Sequence, residues 1–211
     1  AFAIKSAKYY NKPFISRFGY MLSEFEKKRP FLYKQEGWLL QDSSASFIYE
    51  GFEDRKSSIS FRGNGAFSCF KKDPTIIKEF APFNFSNTST EKYNVRVWVY
   101  NGSIDAMNYF HIIAKGSKDG GKLHWLGSAR PDEAITVNGD WSLTEFSFTI
   151  PPGTYDKIQI SCRGNIHFNN KAYIDDLLIY NKSKDIYKVV SNENNQVKEL
   201  IYNGHQIIRK D

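Results

Sequence analysis

The chain has 211 residues, a net charge of +6 and 41% hydrophobic side chains, enough for one sizeable β domain with flanking segments. Aromatics reach 16%, mostly Phe and Tyr, and with 14 Gly and 7 Pro they favour strands and turns over helices. No run approaches the roughly 18 apolar residues that span a bilayer, and the basic residues are dispersed, so direct membrane insertion and a nucleic-acid partner are both disfavoured.

Residues 1–45 show no clean period and read as an irregular leader or linker that packs on the main domain. Ala1-Phe-Ala-Ile-Lys5 lacks the basic head and long apolar core of a signal peptide, and no Met opens the chain. A processed protein, or a piece of a larger one, is expected. Ser23–Lys28 has room for a helical turn or two, and Phe31–Tyr33 and Trp38–Leu40 are short apolar runs.

The pattern changes at residue 46. Ser46–Glu50, Ser57–Phe61 and Ala66–Phe70 read as strands, the last two joined by the turn Arg62-Gly-Asn-Gly65. Tyr93–Tyr100 alternates cleanly: Tyr93, Val95, Val97 and Val99 share one face, Arg96, Trp98 and Tyr100 the other. Met107–Ile113 and Lys122–Leu126 follow as strands. Leu143–Ile150 is next, terminated by Pro151-Pro-Gly153 because Pro cannot continue a ladder. Lys157–Cys162 and Ala172–Tyr180 complete residues 46–182. Roughly eight to ten strands at this spacing predict an all-β antiparallel sandwich. Residues 183–211 restart the register as a β-meander, with Asn203-Gly204 as its last turn.

Alternation places Tyr173, Asp175, Leu177 and Ile179 on one inward face. A carboxylate there is costly unless paired, and Tyr49–Asp54 is the segment that supplies a partner. Cys69 and Cys162 lie in apolar strand patterns, where one disulfide and two buried thiols are equally compatible with the residues. Four scattered histidines make no zinc spacing, and no Gly-x-Ser-x-Gly, P-loop or His-Glu-x-x-His motif occurs. No enzyme is expected.

Five segments in order carry a resemblance. They are Gly51-Phe52-Glu53, Gly65–Phe70, Tyr93–Tyr100, Gly139–Trp141 with Phe146–Pro152, and Tyr173–Leu177. Together they resemble the galactose-binding-like jelly roll of many carbohydrate-binding modules. The flanks are similar to segments of large bacterial surface proteins with Rhs or YD repeats. This resemblance implies a structural Ca²⁺ held by Glu53 and Asp175, with Asp54 and Asp176 as neighbouring carboxylates, because Ca²⁺ takes several oxygen ligands. It also implies a sugar site, and the Arg96/Trp98/Tyr100 face, extended by Trp125, Tyr109, His111 and His124, offers flat rings for stacking and polar groups for hydroxyls. Against this, a Trp inside a β run is commonly core. The expected function is a non-catalytic carbohydrate-binding or adhesion module of a secreted or cell-surface protein. The alternative is a structural spacer whose partners are neighbouring domains.

Overall fold

The computed structural model describes residues 22–35, 37–41, 46–69, 75–83, 89–100, 110–131, 134–163, 172–181, 185–194 and 196–208. Its strands begin with β1 (Tyr33–Gln35), β2 (Trp38–Leu40), β3 (Phe47–Glu50), β4 (Phe67–Cys69) and β5 (Thr75–Phe80). Next come β6 (Glu91–Tyr100), β7 (His111–Ser117), β8 (His124–Ala129), β9 (Thr136–Asn138) and β10 (Trp141–Ile150). The last five are β11 (Lys157–Arg163), β12 (Ala172–Asn181), β13 (Ile186–Ser191), β14 (Val197–Tyr202) and β15 (His205–Ile208). Their pairings are antiparallel. The chain divides into two compact units, Ser46–Lys182 and the two flanks, Ala1–Ala45 with Ser183–Asp211.

The first unit is an all-β jelly-roll sandwich. One sheet runs β3-β12-β6-β10-β9, with β4 also on β12, and the other runs β5-β11-β7-β8. Between them lie Tyr93, Val95, Val97 and Val99 of β6 beside Phe146, Phe148 and Ile150 of β10 in the same sheet, with Ile158 and Ile160 of β11 coming from the other. The alternation of β6 and β10 thus produces the core it predicts. Cys69 and Cys162 are bonded, so β4 of one sheet is tied to β11 of the other across that core.

Two stretches depart from the sequence expectation. Ser57–Phe61 is not a strand: between Lys56 and Gly65, which form a single bridge, the chain is a strap. Its N–H groups go elsewhere, Ser57 to the carbonyl of Asn64 and Phe61 to the carboxylate of Asp175. The tightness of the strap needs glycine, since a Cβ on Gly65 would stand 1.9 Å from the carbonyl oxygen of Phe52. Conversely, Thr75–Phe80, which the sequence reading leaves unassigned, is an edge strand on β11.

Alternation in β12 also breaks. Its register against β6 shifts between Asp175 and Leu178, and Asp176 sits at φ +49°. This is a β-bulge, which re-aims the side chains around it. Ile174, Leu177 and Ile179 point into the core, whereas Tyr173 packs on the opposite side of the sheet. The expectation that Tyr173, Asp175, Leu177 and Ile179 share one inward face therefore fails, because the extra residue flips the second half of the strand.

The flanks share one sheet, β1-β2-β13-β14-β15. The sequence reading kept residues 1–45 and 183–211 apart. The register instead pairs Leu40 with Ile186 and Leu39 with Tyr187. A helix over 22–28 contributes Phe25, buried against Tyr187 and Leu200. Asp185 accepts hydrogen bonds from Lys28 Nζ (2.9 Å), Tyr187 Oη (3.0 Å) and Tyr202 Oη (2.7 Å), which ties both ends of the chain to one carboxylate. No helix among the described residues is long and apolar enough to cross a membrane.

Candidate functional site

The three groups of residues identified from sequence fall on two outer faces of the sandwich: the acids and the Arg96/Trp98/Tyr100 set share the outer side of the larger sheet, where Asp175 pairs with Trp98, and Trp125 lies on the smaller sheet. The acidic group is on the outer side of the larger sheet. β3 pairs with β12, setting Glu50 opposite Leu177, so the opening and closing segments do meet. The strap 57–65 crosses them. Asp175 Oδ2 accepts the N–H groups of Phe61 (2.8 Å) and Arg62 (3.0 Å), and Oδ1 accepts that of Asp176 (2.7 Å). Asp176 accepts hydrogen bonds from Arg62 and from the Tyr49 hydroxyl. Glu53, exposed, accepts the N–H of Asn64 at 2.9 Å.

These contacts decide the fit of a cation. A carboxylate has about four acceptor positions, and three on Asp175 already face N–H groups. Ca²⁺ needs six to eight oxygens, and among the described residues no three His, Cys, Asp or Glu are grouped to hold a metal. Glu53 and Asp175 meet amide donors where Ca²⁺ would need oxygen, so this set does not fit the expected ion. The strap neutralises the acids instead.

Burial raises the Asp175 carboxyl from 3.8 to about 6; the backbone donors oppose that and the Asp176 charge adds to it. An acid raised in the folded state stabilises the fold below its unfolded value and loses that contribution as pH climbs through the folded one. Stability should therefore fall by about 3 kcal/mol between roughly pH 4 and pH 6 on this account. Asp175→Asn is expected to flatten that segment of the stability–pH curve. Urea titrations at four pH values check it, and identical slopes in the two proteins would refute it.

The second group is Arg96, Trp98 and Tyr100 on β6. They face away from the core, as alternation requires, but not into solvent. Trp98 is 1% exposed. The strap's Phe61 stacks on it with centroids 4.0 Å apart and planes 17° from parallel. Tyr100 packs edge-on to Trp141 and Tyr173. Arg96 is ion-paired with Glu145 on β10. The strap thus makes a second, smaller apolar cluster of Trp98, Trp141, Leu143, Ile59 and Phe61 outside the sheet. A sugar has no flat ring to reach at Trp98.

The third is Trp125 on β8, at an edge of the smaller sheet, and it is 58% exposed. A bulge puts it there. The β7–β8 register shifts between Ala114 and Lys115, pairing Gly127 with Ala114 but Trp125 with Lys115. The extra residue, Leu126, turns into the core, and Trp125 stays outside. Lys115 lies between Trp125 on one side and Gln159 of β11 on the other. Gln159 donates to Glu79 of β5 at 3.1 Å. Trp125, Lys115, Gln159 and Glu79 thus form one row across all four strands of this sheet's outer face. Leu123, 40% exposed, precedes Trp125 in the chain. His111 lies on the same face by alternation, opposite Arg163. His124 points to the other side, its ring 6.0 Å from Tyr155. Tyr109 lies outside the described residues.

Lys115 and Gln159 were not among the residues singled out from sequence. Both sit at polar positions of alternating strands, which is all a sequence can show. Their alignment with Trp125 depends on strand order and on a one-residue bulge.

No family model matches the chain and no curated protein matches it. Solved structures similar to it include the CBM22-2 xylan-binding domain of Paenibacillus barcinonensis Xyn10C, at 9% identity and TM-score 0.39, covering 71% of this chain and 94% of that one. The N-terminal CBM22-1–GH10 modules of Clostridium thermocellum xylanase Xyn10B, complexed with xylohexaose, align at 14% identity and TM-score 0.36. That alignment covers 71% of this chain but only 27% of the two-module chain. A cyclase from Fischerella sp. TAU aligns at 12% identity and TM-score 0.36, over 72% and 87% of the two chains. Likeness at this level does not determine a ligand.

Proposed function

We propose that the sandwich is a non-catalytic carbohydrate-binding module that takes its glycan on the outer face of the smaller sheet. The observation that carries this is Trp125, 58% exposed on strand β8 beside its bulge rather than at a loop tip. A strand-borne indole is a rigid platform for a sugar ring, and Lys115 and Gln159 beside it supply hydrogen-bonding groups. Glycoside hydrolysis needs two carboxyl groups facing each other across a cleft. Asp175 and Glu53 are held by strap amides instead, and Glu79 is engaged by Gln159. The Cys69–Cys162 bridge supports a secreted or cell-surface location, because disulfides persist in oxidising compartments.

The spacer reading draws support from the covered Trp98 face, which leaves the larger sheet no open aromatic groove there. The two readings separate on one experiment. Affinity electrophoresis against a panel of plant and microbial polysaccharides should retard the parent protein, and Trp125→Ala should weaken the retention at least about tenfold. Its melting temperature should hardly change, since the side chain is mostly exposed. Absence of retardation by every polysaccharide would leave the spacer reading in place.

A further inference from the structure

Granting that the Trp125 face binds a glycan, we infer that the glycan is anionic, a polysaccharide of uronic acids, and that Lys115 is the residue that selects its carboxylate. Lys115 is the direct cross-strand neighbour of Trp125. Such pairs have their Cβ atoms about 4.5–5.5 Å apart. A pyranose stacked on the indole therefore brings a ring substituent within reach of the lysine ammonium. Lys115 has no ion pair and no hydrogen bond among the described residues, a state it shares with Lys92 and Lys122 but not with Arg96, paired to Glu145, Lys78, paired to Glu50, or Arg62, paired to Asp176; what distinguishes Lys115 is its place beside Trp125.

Among the described strand residues, the charge on this face is one-sided. Lys115, Lys157 and Arg163 stand on β7 and β11, and the carboxylate on the paired rows, Glu79 of β5, lies at the far end from Trp125. Glu79 is already shared between Gln159 Nε2 and Lys157 Nζ, the latter at 3.8 Å. A neutral sugar settling on Trp125 would strip water from the Lys115 ammonium and return no charge, which is unfavourable. A uronate would restore the lost solvation with a charge-assisted hydrogen bond. Nucleic acid offers stacking and charge too. However, a single exposed Trp is a poor track for successive bases, and a disulfide-bonded chain belongs to compartments where nucleic acid is not the usual partner.

The full chain is titrated calorimetrically with polygalacturonate, with alginate, with fully methyl-esterified polygalacturonate, with xylan and with a single-stranded oligonucleotide, each at 50 and 500 mM NaCl. Binding to a polyuronate should exceed that to the esterified polymer and xylan at least tenfold, and should weaken at high salt. Lys115→Gln should remove most of that preference and leave the melting temperature unchanged. If the esterified polymer or xylan binds as tightly as the polyuronates, the inference about charge is overturned while sugar binding stands. Binding to none of the polysaccharides overturns both, and tighter binding of the oligonucleotide replaces the ligand class.

Discussion

Trp98→Ala should lower the stability of the sandwich by about 3–5 kcal/mol, the usual range for truncating a buried Trp, and should leave glycan binding by the folded protein intact. The side chain is 1% exposed, stacked on Phe61 and grouped with Trp141 and Leu143. Truncation removes the surface on which the strap lies. It also loosens Phe61, whose N–H is one of the three donors that hold Asp175. Part of the cost is thus electrostatic, because a buried carboxylate loses a fixed donor. Chemical denaturation gives the free energy, and binding at saturating fold stability gives the second readout. Trp98→Phe, which keeps a ring against Phe61, should lose much less and serves if the Ala variant does not fold. A fully stable Trp98→Ala protein that no longer binds sugar would return Trp98 to the ligand site.

Breaking the Cys69–Cys162 bridge is the other large effect. The cysteines are 93 residues apart in sequence, and in the chain-entropy treatment a loop of that length contributes about 4–5 kcal/mol through the unfolded state. The location adds to the effect. Among the described residues β4 pairs with the Ala172–Ile174 end of β12 alone, and the bond fastens it to β11 in the other sheet. A Cys69→Ala/Cys162→Ala double variant is therefore expected to melt about 10 °C lower or more, from the usual shift per kcal/mol for a domain of this size. Both sulfurs belong to residues at most 4% exposed, so reductant alone should act slowly on the native protein and quickly once it is unfolded. A double variant within about 1 kcal/mol of the parent would show that packing, not the bond, closes the sandwich.

Specific residues show where sequence reasoning held and where it stopped. In β6, Tyr93, Val95, Val97 and Val99 alternate with Arg96, Trp98 and Tyr100, and the structure buries the first set between the sheets. In β12 the same rule failed, because it assumes an unbroken period of two and a bulge at Asp176 adds one residue. In the strap, an apolar–polar run ending in a turn looked like half a hairpin. Its amides were instead recruited by a side chain that lies more than a hundred residues further on in the chain, Asp175 to Phe61 and Arg62. The flanks were read apart because nothing local links Trp38–Leu40 to Ile186 and Tyr187; only pairing does.

Composition and alternation by themselves determined that this is an antiparallel β protein, which side of β6 faces inward, and that the last strand of the main domain carries an acid needing neutralisation. Tertiary structure decided which aromatic meets solvent. Alternation sorts side chains to one face of a sheet or the other, but whether the outward face stays open depends on what the chain lays over it. Trp98 is covered because a distant strap stacks Phe61 on it, and Trp125 is open because a one-residue slip sends Leu126 to the core in its place.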